Sequence, residues 1–427
     1  MGIGDWWCIW DSFELTYHTP DNPDAVKPLL EEAIAKIDLT KPMGKDVYDR
    51  AALVVQQAND AIAANDGAAM FAALNATFDL NAAIIESVAL FENLVAKAES
   101  LNEAIGESEN QDAINEANAL YSTIMTGCDN HTLTDAEAKE YMEKIDVLFT
   151  KLKLPANVNE ASDSNPVDVT AVIKSAKFSD VDETTNSSEG WNNPGNLGND
   201  DTQKSVLAME FWQVGFDMYQ TIKGLPEGTY ELGVDAWIRN GGNQENYDGW
   251  KANPEYSMAL LYAVAGDSAA VFTAPIANLM VGAQTEDPGL EGVAEATDIN
   301  NEEGLTYYIP NSLQGGRDYM DLNPEAYYNK AIVKVNADGV LTVGIKKAEQ
   351  KGNSWVVLDN FKLTYFGKNS SQTVSPDLTG IEAVNGETAK VEYFTLDGRK
   401  ATKAHKGIMI QKVTLSNGAT LIQKIRN

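Results

Sequence analysis

Two hydrophobic periods divide the chain. Between about residues 19 and 155 apolar side chains recur every three or four positions, the spacing that lines one face of an α-helix. "DNPDAVKPLLEEAIAKI" opens on Asp/Asn/Pro punctuation and continues at that spacing, and Val47, Ala51, Val54, Ala58 and Ile62 form the next stripe. An Ala/Asn/Leu-rich run over 69–106 and "NQDAINEANALYSTIM" predict two more helices. In "TDAEAKEYMEKIDVLFTKLKLP", Thr134 and Glu137 have the spacing of a capping box, and Tyr141, Ile145, Leu148 and Leu152 form the stripe that ends at Pro155. Short polar breaks between these runs predict an antiparallel helical bundle.

From residue 156 the period falls to two. After the polar stretch "ANVNEASDSNPVDVT", "FDMYQTIKGLPEGTYELGVDAWIRNGG" carries two alternating runs joined by a Gly/Pro turn, a hairpin signal. "YSMALLYAVAG" with "SAAVFTAPI" predicts a second pair, and "KAIVKVNADGVLTVGIKKAEQKGNSWVVLDNFKLTYFG" three further strands. That many strands with regular turns over about 210 residues predict a jelly-roll β-sandwich. A Ser/Gly/Pro stretch, "GKNSSQTVSPDLTG", then introduces a third pattern of short strands to the C-terminus.

One segment repeats. "GDWWCIWDSFELTY" at 4–17 aligns without a gap on "GNSWVVLDNFKLTY" at 352–365, with Gly4, Trp7, Asp11, Phe13, Leu15, Thr16 and Tyr17 matching Gly352, Trp355, Asp359, Phe361, Leu363, Thr364 and Tyr365. Two unrelated short strands would not share so many positions, so residues 1–18 are expected to be the last strand of an upstream sandwich. The expected plan is therefore multidomain α and β: an orphan strand at 1–18, a helical bundle spacer at 19–155, a β-sandwich at 156–368, and a linker with a small C-terminal β-sandwich at 369–427.

These segments carry resemblances. "EFWQVGFDMYQTIKGLPEGTYELGVDAWIRNG" followed by "LTVGIKK" and "WVVLDNFKLTY" resembles the galactose-binding-like sandwiches appended to secreted polysaccharide-degrading enzymes. The bundle resembles FIVAR-type spacers of secreted bacterial proteins. "GIEAV", "VEYFTLDGRK", "KGIMIQ" and "LIQKI" resemble the C-terminal sorting domain of the type IX secretion system, from which "TLSNGATLIQKIRN" departs by a longer hairpin. The resemblances imply a secreted or outer-membrane, cell-surface-attached chain with the secretion machinery and a polysaccharide or glycan as partners.

Composition narrows the chemistry. A net charge of −31 opposes nucleic acid, whose phosphates need Lys/Arg surfaces, and favours a well-solvated protein able to hold cations such as Ca²⁺. No stretch reaches the about 20 apolar residues of a membrane span. Cys8 and Cys128 lie in different segments and make no zinc site. No G-x-S-x-G, P-loop, H-E-x-x-H or kinase signature is present, and His18, His131 and His405 fall in three segments, so this region is expected to be non-catalytic.

Two sets of candidates remain. Asp359 sits in an otherwise apolar strand, where a charge must be paired, hydrogen-bonded or ligated. The resemblance implies a structural Ca²⁺ site joining Asp359 to Asp180, Asp182 and Glu183; the alternative is a carboxylate accepting backbone amides at a sheet edge. For sugar stacking, Trp191, Tyr247 and Trp250 lie in Gly/Asn-rich loops, Arg239 and Asn240 end a strand after Trp237, and Tyr307, Tyr308 and Arg317 occupy a further loop. Trp212, Tyr219, Trp355 and Phe361 alternate within strands and are assigned to the core. The sequence thus predicts a carbohydrate-binding and spacer region, with a purely structural stalk and an accessory part of a glycoside hydrolase as alternatives.

Overall fold

The structure is a computed structural model and describes residues 22–179, 185–197, 206–266, 270–378, 388–395, 399–401, 408–415 and 420–426. The expected orphan strand at 1–18 lies outside them. The chain divides into two compact units, Met1–Phe149 and Thr150–Asn427.

The first unit follows the helical periodicity. Its helices are α1 (Pro23–Ala35), α2 (Lys45–Ala64), α3 (Gly67–Ile105), α4 (Gln111–Asp129) and α5 (Asp135–Lys153), the last running past the boundary. Three begin at an Asx residue whose side chain accepts from an amide of the first turn: Asn22 from Asp24, Asp66 from Ala69 and Asn110 from Ala113. At α5 the Glu137 carboxylate accepts from the Thr134 amide at 2.8 Å while the Thr134 hydroxyl accepts from the Glu137 amide at 3.2 Å, the reciprocal box the spacing predicts. Val26 and Leu30 of α1, Ala58 and Ala61 of α2, and Met70, Ala73 and Leu74 of α3 share one core. At 39 residues, α3 is long and apolar enough, by length and composition alone, to cross a membrane. That corrects the expectation from the sequence. The helix draws its apolar character from two faces, and the one bearing Met70, Leu80, Phe91, Leu94 and Leu101 is buried.

The second unit holds β1 (Val167–Asp168), β2 (Met209–Trp212), β3 (Phe216–Ile222), β4 (Gly228–Asn240), α6 (Asn243–Ala252), β5 (Leu260–Ala265) and β6 (Ala270–Pro275). It continues with β7 (Val293–Glu295), β8 (Tyr308–Pro310), α7 (Leu313–Leu322), α8 (Pro324–Tyr327), β9 (Tyr328–Val335), β10 (Leu341–Lys347) and β11 (Ser354–Tyr365). These strands form two larger antiparallel sheets, β1-β11-β4-β9, with β2 also on β11, and β3-β10-β5-β6, while β7 and β8 pair separately. Leu232, Val234, Val333 and Leu363 of the first meet Met218, Leu261, Val343 and Ile345 of the second in one core, which makes the expected sandwich.

The central strand, β11, changes face midway. Before Asp359 its inward residues are Val356 and Leu358; after it they are Phe361, Leu363 and Tyr365. A bulge between Asp359 and Lys362 supplies the extra residue, with Asn360 at φ 51°. Because strand side chains alternate strictly, one inserted residue reverses which parity faces the core. Outside the first sheet, Trp237, Trp355 and Val357 form a second apolar layer with Leu313 and Tyr319 from α7 and Tyr327 from α8. Gly316 makes this possible: a Cβ there would meet Trp237 at 3.0 Å, and its carbonyl accepts from the Trp237 indole at 2.9 Å.

Several segments expected to be loops are ordered. The Gly/Asn stretch around Tyr247 forms α6, and "NSLQGGRDYM" contributes α7, because each is clamped over the sheet. The polar stretch after 156 places Val158 and Val167 in the sandwich core. Part of the expected flexible linker is tied along the sandwich edge: the Ser375 amide donates to Ile332, and the Thr273 amide donates to Pro376. In the C-terminal segment, β12 (Thr388–Thr395), β13 (Lys400–Ala401), β14 (Ile408–Leu415) and β15 (Thr420–Arg426) form one four-stranded antiparallel sheet in the order β13-β12-β14-β15.

Replacing Thr134 by Ala removes the hydroxyl half of the α5 box, and urea unfolding followed by far-UV circular dichroism should show a loss of about 1 kcal/mol.

Candidate functional site

β2 is short, and its alternation sets the site. Met209 and Phe211 point into the core, which leaves Glu210 and Trp212 on the outer face. In register, Trp212 lies opposite Trp355 of β11, which lies opposite Arg239 of β4. The three side chains form a row across three strands. The Arg239 guanidinium sits over the Trp212 ring at 5.1 Å and over the Trp355 ring at 5.5 Å, and the two indoles meet edge-on at 5.8 Å. Arg239 is itself buried, donates to the Asn353 carbonyl and the Asn243 side chain, and has its proton affinity lowered by desolvation, which the Asp298 charge opposes. Trp355 and Trp237 lie under the α6–α8 cover, whereas Trp212 falls beyond it and remains 46% exposed.

Of this row Trp212, with Glu210 beside it, forms one wall of an open cleft of about 570 Å³. The segment Asn193–Asn196 forms the opposite wall. Asn196 and Glu210 exchange backbone hydrogen bonds of 2.9 Å, which pairs that segment with β2. Glu210 spends its carboxylate on structure: Oε2 accepts from the Trp355 indole at 2.7 Å and Oε1 from the Asn196 amide group at 2.9 Å. Gly195 is required by close approach, since a Cβ would lie 2.4 Å from the Glu210 carbonyl. Phe211 and Phe216 stack at 3.6 Å along the cleft, and the turn bearing Trp212 is held by the Gln213 amide donating to the Ser354 carbonyl at 2.8 Å. Gln213 adopts φ 58°, a left-handed conformation that turns the chain immediately after the exposed indole.

Most of the residues expected from sequence lie elsewhere. Trp191 is core: its ring packs on Phe361 at 4.6 Å and Phe178 at 5.9 Å, and its indole donates to the Ser175 carbonyl. It folds beneath its own loop and has no face left for a sugar. Asn240 is buried with its side chain fully engaged, donating to the Tyr256 carbonyl and accepting from the Met258 amide. Tyr247 is buried against Tyr307, and its hydroxyl donates to Glu303; Trp250 is half-buried beside it, with Lys251 over both rings. These groups fasten α6 to the segment around Glu303. Arg317, on α7, is half-exposed and pairs with Asp318 and Asp321. None of the expected set lines the cleft; Arg239 touches it only indirectly, through the Trp212 ring it lies over.

Trp212 is the reverse correction, since alternation within a strand had assigned it to the core. One signal opposed that assignment. Phe211 and Trp212 are adjacent in a strand and cannot share a face, and Phe211 takes the inner one.

Asp359, outward at the bulge, is buried, and its Oδ1 accepts from the Asn360 amide at 2.7 Å, with Arg317 Nε 3.7 Å from Oδ2. It is paired with β4 on one side and lies between the stretches of β11 that β2 and β1 pair on the other. Its register partner is Asp235, whose carboxylate accepts from the Asn360 side chain at 3.0 Å. Asp180, Asp182 and Glu183 lie outside the described residues, and among the described residues no three His, Cys, Asp or Glu side chains come together to hold a metal ion. Burial pushes the Asp359 carboxyl up to about 7; the Asn360 amide and Arg317 act against this, and Asp235 and Asp321 add to it. Cys128 is buried, and desolvation raises its thiol to about 11, far from the range of a reactive thiolate.

No protein-family model and no curated protein matches the chain. Three solved chains match. One is a Bacteroides thetaiotaomicron VPI-5482 protein described as a proposed sugar-binding protein, 14% identical, with the match covering 43% of this chain and 86% of that one at a TM-score of 0.15.

The Asp359 carboxyl titrates higher folded than unfolded, so the folded chain retains a proton that the unfolded chain has lost. The associated stability is fully present below the ordinary value of 3.8 and is lost as pH rises toward 7. Asp359→Asn should therefore be more stable than wild type at pH 8, on the order of 2–4 kcal/mol, with the difference closing toward pH 4. Paired thermal melts across that range measure it, and a constant difference would contradict the assignment.

Proposed function

We propose that the β unit binds carbohydrate at the Trp212 cleft as a non-catalytic module. The observation that carries this reading is the exposed indole of Trp212, held flat by a buried guanidinium behind it and open to solvent in front. A pyranose presents an apolar C–H face that stacks on such a ring and hydroxyl edges that need planar polar partners. The partners here are the exposed Asn193 side chain and the Asp217 carboxylate, both on the cleft wall. Holding the ring in advance lowers the conformational cost of binding, because neither the Trp212 turn nor the Asn193–Asn196 wall has to order.

The same bonds speak for binding over chemistry. Both Glu210 oxygens are committed to Trp355 and Asn196, and Asp217 accepts from the Tyr262 hydroxyl at 2.6 Å. Neither carboxylate stands free as a general acid or base with a second acid to complement it. Within the same reading, the helical unit serves as a spacer and the C-terminal strands as the export signal of a secreted, surface-attached chain. The charge of −31 suits that setting.

Trp212→Ala should weaken glycan binding at least tenfold in affinity electrophoresis. Its unfolding midpoint should stay close to wild type, because the ring is half exposed. Trp250→Ala, outside the cleft, should leave binding intact. Silence of the wild type across neutral and acidic glycans, or full binding by the Trp212 variant, would refute the reading.

A further inference from the structure

The buried face of α3 is accounted for by α1, α2 and α4, but its opposite face is not. Phe71, Phe78 and Ile85 are 39%, 67% and 61% exposed and lie seven residues apart. Between them fall Asn75 and Ala82, with Ala68 before and Ala89 and Glu92 after, and all eight positions are exposed. The spacing alternates three and four, the 3.5-residue repeat of a coiled-coil seam. One half of the repeat is always small (Ala68, Asn75, Ala82, Ala89) and the other always large (Phe71, Phe78, Ile85, Glu92).

We propose that this seam is the contact of an antiparallel, two-fold symmetric dimer in which α3 packs on α3 of a second copy. The pattern is self-complementary about the level of Leu80. In the antiparallel register Phe78 faces Ala82 of the other copy, Phe71 faces Ala89, Ile85 faces Asn75 and Glu92 faces Ala68. Every large side chain thus meets a small one. A two-fold contact requires such reciprocity, since each patch must complement itself. A parallel pair would set Phe78 on Phe78 and Ala82 on Ala82, which overpacks one layer and leaves the next hollow.

Charge agrees at the ends of the seam. Glu92 is ion-paired with Lys41 at 2.7 Å. The antiparallel register brings this pair to the amino end of the other α3, where Asp66 caps the helix. The ammonium there approaches a carboxylate, and the Glu92 carboxylate approaches the positive end of the helix dipole. At the centre Asp79 approaches its own copy, an unfavourable contact in a chain of charge −31. The seam is about 37 Å long by the rise of an α-helix and about 10 Å wide by helix packing distances. It therefore offers less than the roughly 800 Å² per partner of a standard stable interface. The dimer is accordingly weak and forms at high local concentration, as when copies crowd on a surface.

Sedimentation equilibrium of the full chain over roughly 5 μM to 1 mM should show monomer rising to dimer. Phe78→Glu should lower the association constant at least tenfold, and Ala82→Phe should do the same by setting Phe against Phe. The size-swapped double variant, Phe78→Ala with Ala82→Phe, should return it to within about threefold of wild type, because the same layer again pairs large with small. Both positions are exposed, so unchanged far-UV circular dichroism is expected for each variant. A wild type that stays monomeric throughout overturns the proposal. So does a dimer indifferent to Phe78→Glu, a double variant no better than Ala82→Phe alone, or a monomer that partitions onto neutral-lipid vesicles through this face.

Discussion

The β unit depends on the pairing of one strand. β11 is bonded to β4 along its length on one side and to β2 and β1 in succession on the other. Every part of the first sheet is referred to it. Its single bulge at Asn360 lets one strand serve two cores. Upstream of the bulge, Trp355 and Val357 support the outer layer while Val356 and Leu358 fill the sandwich; downstream, Phe361 and Leu363 take over the inner role. An ordinary alternating strand cannot do this without leaving a large side chain in water. The cost is visible at the bulge itself, where Asp359 and Asp235 face each other across two strands with Asn360 and Arg317 as their main compensation.

The candidate cleft is a consequence of where the outer cover stops. α6, α7 and α8 bury Trp237 and Trp355, and the row they cover continues one strand further to Trp212. Arg239 links the covered and uncovered parts, because its guanidinium lies over both indoles and its own donors are held by Asn353 and Asn243. Glu210 does the equivalent on the polar side, bonding Trp355 to the Asn196 wall. The exposed ring is therefore supported by the same hydrogen bonds that close the outer layer.

The helical unit shows a comparable division of one element between two faces. α3 has an inner stripe that α1, α2 and α4 use and an outer stripe with the same repeat that they leave uncovered. The inner stripe includes Met70, Ala73, Leu80, Phe91, Leu94 and Leu101, at spacings built of threes and fours. The outer stripe keeps to 3.5 over three heptads. An element apolar on both faces is why composition alone makes α3 look like a membrane span.

The sequence by itself determined the period of each segment, and with it the five helices, the main strands, the capping box at Thr134 and the sandwich class. These follow from local rules: alternation of two or 3.6, polar caps and Gly/Pro turns. It also singled out Arg239 and the unusual carboxylate of Asp359. It could not say which aromatic side chains reach solvent. Trp191 in a polar loop and Trp212 in a strand exchanged their expected roles, because exposure is set by what packs on top. Trp191 is covered by residues up to 170 positions away, and Trp212 is left bare where α6–α8 end. Only the tertiary structure decides that, since a side chain's access to water is a property of its neighbours in space and not of its neighbours in the chain.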